Sequence, residues 1–352
     1  MQHAERRRIP LRTRLLFAFA PLMALLVVAE LAMRIARDPT HFGSFRDLRL
    51  DQAKRGYPAR PDPQLGYAPI PGHATERSRW GTRVHIDADG LRSNGPGAPG
   101  ALPGIIAVGD SFTFGDQVHD EESWPAQLAR RLDRRVWNGG VFGYSLTQAA
   151  LRAEALLQGR QAAWVVLSII PDDIQRSEFR RRYTSVPWFE IRGDELVLCN
   201  VPVQEHASPE EAADRRFKDL LGHSALVDGV LAEVAKAWWV TDQKEQRIDP
   251  PVRGADLAPR IVDRLHAACT AAGARLLVVV QGEGPHLFGS DAMLEHARTR
   301  GIPTLDLIAA YRDALAADPS VRDRWFDGHM TAAGNGWVAE RIAETLRTHA
   351  PR

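Results

Sequence analysis

The sequence predicts an α/β fold of three layers, αβα, built on a parallel sheet, with an inserted hairpin and helical cap and an N-terminal membrane helix. Three observations predict it. Short apolar runs alternate with stretches of helical period, the pattern of βαβ units. The runs stop abruptly at polar or glycine-rich blocks, as in Ile105-Ile106-Ala107-Val108-Gly109-Asp110-Ser111. An arginine-rich start leads directly into an uninterrupted apolar stretch.

At the N-terminus, Arg6, Arg7, Arg8, Arg12 and Arg14 precede an apolar run from Leu15 to Ala29, followed by Glu30 and Leu31 to Met33. Basic residues ahead of an apolar segment hold that side in the cytoplasm. A bilayer core needs about 20 residues of helix, a length reached by counting through Met33. The expectation is a cytoplasmic basic segment at 1–14 and a single-pass signal-anchor at 15–36 in the cytoplasmic (inner) membrane. The remainder then lies on the periplasmic, extracytoplasmic side. A cleaved signal peptide is the competing reading, with Val27-x-Ala29 as a small-residue cleavage site. No polar stripe interrupts the run, which sets it apart from the helix of a soluble core.

Residues 37–103 read as a juxtamembrane helix, an irregular linker and edge elements. Tyr57-Pro58-Ala59-Arg60-Pro61-Asp62-Pro63 cannot continue a helix. Val84 to Ile86 forms an edge strand with a turn at Asp89-Gly90. The main domain runs from 104 to 352. Strand Ile105–Val108 precedes a helix near Ser123–Leu132, where Trp124, Leu128 and Leu132 fall at i, i+4, i+8. Strand Arg135–Asn138 precedes helix Thr147–Leu157, and strand Trp164–Ile170 follows. Later come strand Arg275–Val280, helix Asp291–Arg300, strand Pro303–Leu307 and helix Ala332–Leu346. An insertion over 180–255 interrupts this rhythm. It holds a hairpin turning at Gly193-Asp194 and a polar, helix-prone stretch from Ser208 to Lys244. Packing near the substrate side and simple surface elaboration are both open for it.

Lys and Arg number 45 and Asp and Glu 44, a net charge of +1, which argues against a nucleic-acid partner. Two cysteines, Cys199 and Cys269, give neither a disulfide framework nor a metal pattern. No phosphate-binding glycine fingerprint occurs. The carboxylates Asp110, Asp172, Asp173 and Asp327 lack a ligand-spaced histidine pair. No cofactor and no metal is therefore expected.

The chemistry lies in four blocks at the ends of apolar stretches. Gly109-Asp110-Ser111 puts a serine at the carboxyl edge of the sheet, where open α/β folds place their ligands. Asp327-Gly328-His329 supplies a histidine and a carboxylate near the other end of the chain. Between them stand Asn138-Gly139-Gly140-Val141-Phe142-Gly143 and Ile170-Pro171-Asp172-Asp173. A serine hydroxyl is a weak nucleophile that needs a base within hydrogen-bond reach, and the base needs an orienting group. Ser111, His329 and Asp327 are the residue types for those three tasks. His119, His206, His223 and His286 have no matching context.

With these four blocks in this order, the chain from about Pro61 onward resembles the GDSL/SGNH hydrolase superfamily of serine esterases. It looks most like a membrane-anchored, cell-envelope branch with stretches such as Leu65-Gly66-Tyr67 and Asp89-Gly90-Leu91-Arg92 ahead of the nucleophile. The resemblance implies an SGNH-hydrolase-like fold with Ser111 as nucleophile, His329 as base and Asp327 as its orienter. The usual Asp-x-x-His is Asp-x-His here. It also implies an oxyanion hole formed by the backbone N–H of Ser111 and that of Gly143, with Gly140 as the neighbouring choice. The family's third donor, an asparagine side chain, corresponds to Asp172, and an ionised carboxylate has no proton to donate. Three readings are open: a protonated Asp172, an Asp172 paired with Arg176 four residues on, or a weakened site. Pairing with Arg176 is the favoured one.

The function so implied is hydrolysis of an ester-linked acyl group, O-acetyl foremost, on an envelope or exported glycan through an acyl-serine. The partners are an acylated carbohydrate or other small ester and the membrane. O-acetyl transfer to a glycan, with a membrane acyltransferase partner as donor, shares the same triad. A non-catalytic glycan-binding or assembly protein is the reading from another class.

Overall fold

The computed structural model of the chain describes residues 11–46, 57–78, 80–182, 184–204, 209–239 and 245–349. Arg6, Arg7 and Arg8, part of the juxtamembrane segment and the flanks of the insertion's helical stretch lie outside these residues. Two units make up the chain: residues 56–206 with 244–352, and residues 1–55 with 207–243.

The larger unit is organised by five strands. β1 (Gly104–Gly109), β2 (Val136–Asn138), β3 (Ala162–Ile169), β4 (Arg275–Val280) and β5 (Thr304–Asp306) form one sheet in the order β2–β1–β3–β4–β5. Every neighbouring pair is parallel. Period-two alternation sends the strand residues to two separate cores. Ile106, Val108, Val165, Leu167, Leu276 and Val278 pack beneath helices Leu146–Leu157, Gly254–Ala271 and Ser290–Thr299. Ile105, Ala107, Val166, Leu277 and Val279 pack beneath helices Trp124–Leu132, Leu307–Ala317 and Ala332–Thr348. Because both faces are covered, the strands read as near-continuous apolar runs.

The strand order matters for function. From β1 the chain moves outward to β2, then crosses back to β3 on the other side of β1. That reversal, at the carboxyl ends of β1 and β3, is the topological switch point at which open α/β sheets place their ligands. The Gly-Asp-Ser block ends β1 and the Pro-Asp-Asp block follows β3, so both lie at the switch point.

Helix Gly254–Ala271 was not foreseen from sequence. It carries Pro259, a residue that ordinarily argues against a helix interior, yet it buries Leu257, Ile261, Val262, Leu265 and Cys269. Helix Leu307–Ala317 was also unforeseen. It starts directly after β5, where the Asp306 carboxylate accepts the Ala309 N–H and caps it.

The insertion divides between the units. Its hairpin, Trp188–Arg192 paired with Glu195–Cys199, belongs to the larger unit. It buries Phe189 completely in the helix layer, with the Arg264 guanidinium over the ring. Its helices, Pro209–Gly222, Ala225–Val234 and Lys236–Trp239, belong to the smaller unit with helix Leu11–Arg37. Within Leu11–Arg37, the segment Phe19–Arg37 is long and apolar enough to cross a membrane. The Glu30 carboxylate accepts the N–H groups of Ala225 and Leu226 and the Ser224 hydroxyl, so it caps the start of helix Ala225–Val234. Arg37 pairs with buried Asp228, which also accepts the Trp239 indole N–H.

Candidate active site

Gly109 ends β1 with no room for a side chain: a Cβ there would lie 1.9 Å from the Ser168 carbonyl oxygen. The next residue, Asp110, accepts the Phe112 N–H at 2.9 Å and caps the short helix Ser111–Phe114. Ser111 therefore stands at the first position of that turn, buried to 6% exposure.

His329 arrives from the opposite end of the chain, in a two-residue ladder that pairs Asp327 with His329. Its backbone N–H donates to Gln117 Oε1 at 3.1 Å, which ties this turn to the loop after the serine. The imidazole Nε2 lies 3.0 Å from Ser111 Oγ. The serine hydroxyl has a second acceptor in Asp110 Oδ2 at 3.3 Å, so the shorter contact is to the base. Burial lowers the His329 pKa; Asp110 opposes that and Arg176 reinforces it. The ring is thus held neutral near pH 7, the state in which it accepts a proton.

Asp327 is exposed, and among the described residues its carboxylate makes no hydrogen bond to the His329 ring. A different carboxylate stands close. Asp116 Oδ2 is 3.7 Å from His329 Nε2 and accepts the Tyr57 hydroxyl at 2.6 Å. Asp116 is 2% exposed. It faces the nitrogen that takes the serine proton, so it stabilises the imidazolium without fixing the tautomer.

The expected Asp172–Arg176 pair does not form. Asp172 is exposed. Arg176 Nη1 instead lies 2.5 Å from Asp173 Oδ1 and 3.1 Å from Asp110 Oδ2, and donates to the Tyr144 carbonyl oxygen. The cause is local. Pro171 opens helix Pro171–Arg176, and Asp173, third in it, turns inward to accept the Ile170 N–H at 3.1 Å. The inward carboxylate is the one Arg176 meets. Burial raises the Asp173 pKa, Asp110 adds to that, and Arg176 opposes both. The guanidinium thus joins the block after β1 to the block after β3 across the switch point.

The glycines of the block after β2 do different work. Gly140 donates its N–H to Asn138 Oδ1 at 3.1 Å. A Cβ on Gly140 would lie 2.3 Å from the Phe114 nitrogen, so this glycine lets the loop seat against the serine turn. Gly140→Ala should cost about 1–3 kcal/mol of stability through that overlap, read as a lowered denaturant midpoint with an unchanged slope. Gly143 has a left-handed backbone, and its carbonyl accepts from Arg182 at 3.2 Å. Among the described residues, neither the Ser111 nor the Gly143 N–H has an acceptor in the protein.

Sequence reasoning missed the residues that hold this arrangement. Arg92, 2% exposed, pairs with Asp120 at 2.8 Å and donates to the carbonyls of Arg83, Phe114, Gly115 and Val118. It thereby shapes the loop that carries Asp116 and Gln117. The one signal for Asp116 and Gln117 was their place in the chain: Gly115-Asp116-Gln117 continues the serine block without a break. A second Ser–His–Asp set also occurs. His286 bridges Ser290 Oγ at 2.9 Å and Asp306 Oδ2 at 3.0 Å. Ser290 is fully buried, so no acyl group reaches it, and the set ties the loop carrying His286 to the start of helix Ser290–Thr299 and to the end of β5.

No family model and no curated protein matches the chain. Solved structures similar to it include the following three. One is a G-D-S-L family protein from Desulfitobacterium hafniense DCB-2, at 12% identity and TM-score 0.38 over 69% of this chain and 98% of that one. Another is a catalytic mutant of Axe2, an acetylxylan esterase from Geobacillus stearothermophilus, at 11% identity and TM-score 0.38 over 71% and 96%. A third is LAE5, an α/β hydrolase enzyme from the metagenome of Lake Arreo, at 15% identity and TM-score 0.40 over 70% and 96%. The functional reading rests on the geometry of the site.

Proposed function

We propose that this chain is a membrane-anchored serine esterase of the SGNH type. It removes short acyl groups, O-acetyl foremost, from an envelope or exported glycan on the extracytoplasmic side. The observation that carries this reading is the 3.0 Å contact between Ser111 Oγ and a neutral His329 Nε2 at the sheet's switch point. Ser111 attacks the ester carbonyl while His329 takes its proton. The N–H groups of Ser111 and Gly143 stabilise the oxyanion, and His329 returns the proton to the leaving alcohol. Water, activated by the same histidine, then releases the acyl group. Asp327, paired with His329 across the two-residue ladder, is the carboxylate assigned to orient the imidazole. Asp172 carries no donor role, and Arg176 balances the charge of Asp110 behind the serine.

Incubating the purified full-length protein with O-acetylated oligosaccharides tests the reading. Free acetate and deacetylated sugar should appear together. The same Ser111–His329 pair also serves a second reading, in which a glycan hydroxyl replaces water as acceptor. An added sugar acceptor would then gain acetyl groups at the expense of free acetate.

The anchor and its orientation have their own test. An alkaline phosphatase fusion after Arg60 should be active, because the arginines ahead of Leu15 stay in the cytoplasm. An inactive fusion there, with a fluorescent cytoplasmic fusion at the same point, would reverse the orientation.

A further inference from the structure

We infer that the helices of residues 209–239, inserted into the hydrolase chain, are a lipid-contacting collar that lies in the outer interface of the membrane beside the N-terminal helix. The inference rests on the anchor reading above. It begins with exposure: Leu220 is 71% exposed, Val234 75%, Phe217 53% and Val230 49%, and Trp238 is exposed in ring contact with Phe217. Phe217 and Leu220 are three apart and Val230 and Val234 four apart, so each pair shares one helix face. The remaining faces carry charge, including Asp214, Arg215, Arg216, Asp219, Glu233 and Lys236. Apolar residues on one side and mixed charge on the other suit a helix lying in the interface plane.

The occupant follows from what these helices are fastened to. Glu30, inside the apolar stretch Phe19–Arg37, caps helix Ala225–Val234 through the N–H groups of Ala225 and Leu226. A Cβ on Gly229 would come within 2.9 Å of the Met33 methyl, so the two helices touch at that level. Glu30 to Met33 is about 4.5 Å of helix. Residues 225–229 therefore flank the last apolar turn of the span, where hydrocarbon gives way to headgroups. Arg34 and Arg37, just beyond, bond to the His223 carbonyl and to Asp228. Val230 and Val234 continue away from this junction on an exposed face. Val230, next to Gly229, is thereby set beside Met33, whose surroundings the anchor reading makes lipid. Trp238, in ring contact with Phe217 at 6.5 Å, is the residue type enriched at that depth.

The test uses full-length protein in phosphatidylcholine vesicles, with Cys199→Ser as background and Cys269 buried. Spin labels are placed one at a time through Leu220→Cys, Val234→Cys, Leu25→Cys and Glu195→Cys. Collision with oxygen and with a water-soluble nickel chelate gives the depth of each. The expected result is labels at 220 and 234 about 5–10 Å below the phosphates, the label at 25 deeper, and the label at 195 in water. Labels at 220 and 234 in water with 25 still in lipid would overturn the collar and leave the anchor standing. Shielding of 220 and 234 from both reagents would overturn it in favour of a protein partner or a second copy. A label at 25 in water would remove the anchor reading, and the collar with it.

Discussion

Ser111→Ala and His329→Ala each lower the hydrolysis of a short acyl ester by about four to six orders of magnitude, and the double variant is little slower than either one. Members of a nucleophile–base pair act as a unit, so removing one disables the other. Small losses at Ser111 would exclude it as the nucleophile. Asp327→Ala is expected to cost less than either, because the turn holding His329 is fixed by the Gln117 bond to its backbone and the Nε2–Oγ contact is already made. Steady-state rates with p-nitrophenyl acetate, on variants shown by circular dichroism to be folded, check all three.

Arg176→Ala has the second largest expected effect, on stability and on pH dependence together. The guanidinium bonds both Asp110 and Asp173, which are 0% and 1% exposed. Removing it leaves two buried carboxylates facing each other, a change that typically costs about 3–5 kcal/mol. One of the two then takes up a proton. The sign at the base follows from the charges around it. Arg176 lowers the His329 pKa and Asp110 raises it. Losing the cation therefore moves the His329 pKa upward if Asp110 stays ionised. The acid limb of kcat/KM should then shift to higher pH in the variant, while in the wild type it lies below the ordinary histidine value. An acid limb that stays in place in a folded Arg176→Ala protein would mean that Asp110 takes up the proton, so that the two opposing charges beside the base are lost together. Arg176→Lys keeps a charge and should recover part of the stability, though a single ammonium cannot reproduce the guanidinium fork.

The sheet was legible because its strands are buried on both faces. Ile105 to Val108 and Arg275 to Val280 are apolar runs that end at glycine or polar residues, and their boundaries are close to those observed. Helix Gly254–Ala271 was not legible, since Pro259 and the end of a long insertion disguised its period. The geometry at the switch point was legible only in part. Motif order pointed to Ser111 and His329, whose side chains meet. Spacing alone pointed Arg176 at Asp172, whereas Pro171 sets the turn so that Asp173 faces inward. Arg92 and Asp116 carried no periodic signal, because their roles depend on contacts between segments far apart in sequence. The fastening of the inserted helices to the N-terminal helix was also hidden. It depends on Glu30, which in sequence looks like a charge interrupting an apolar run.

If Ser111 is a nucleophile activated by His329, a fluorophosphonate probe reacts with it. The full-length protein is treated with the probe at neutral pH, digested, and its modified peptide located by mass spectrometry. One stoichiometric adduct is expected, on Ser111, lost in Ser111→Ala and slowed strongly in His329→Ala. No adduct on a folded protein, or an adduct on another serine that persists in Ser111→Ala, would contradict it.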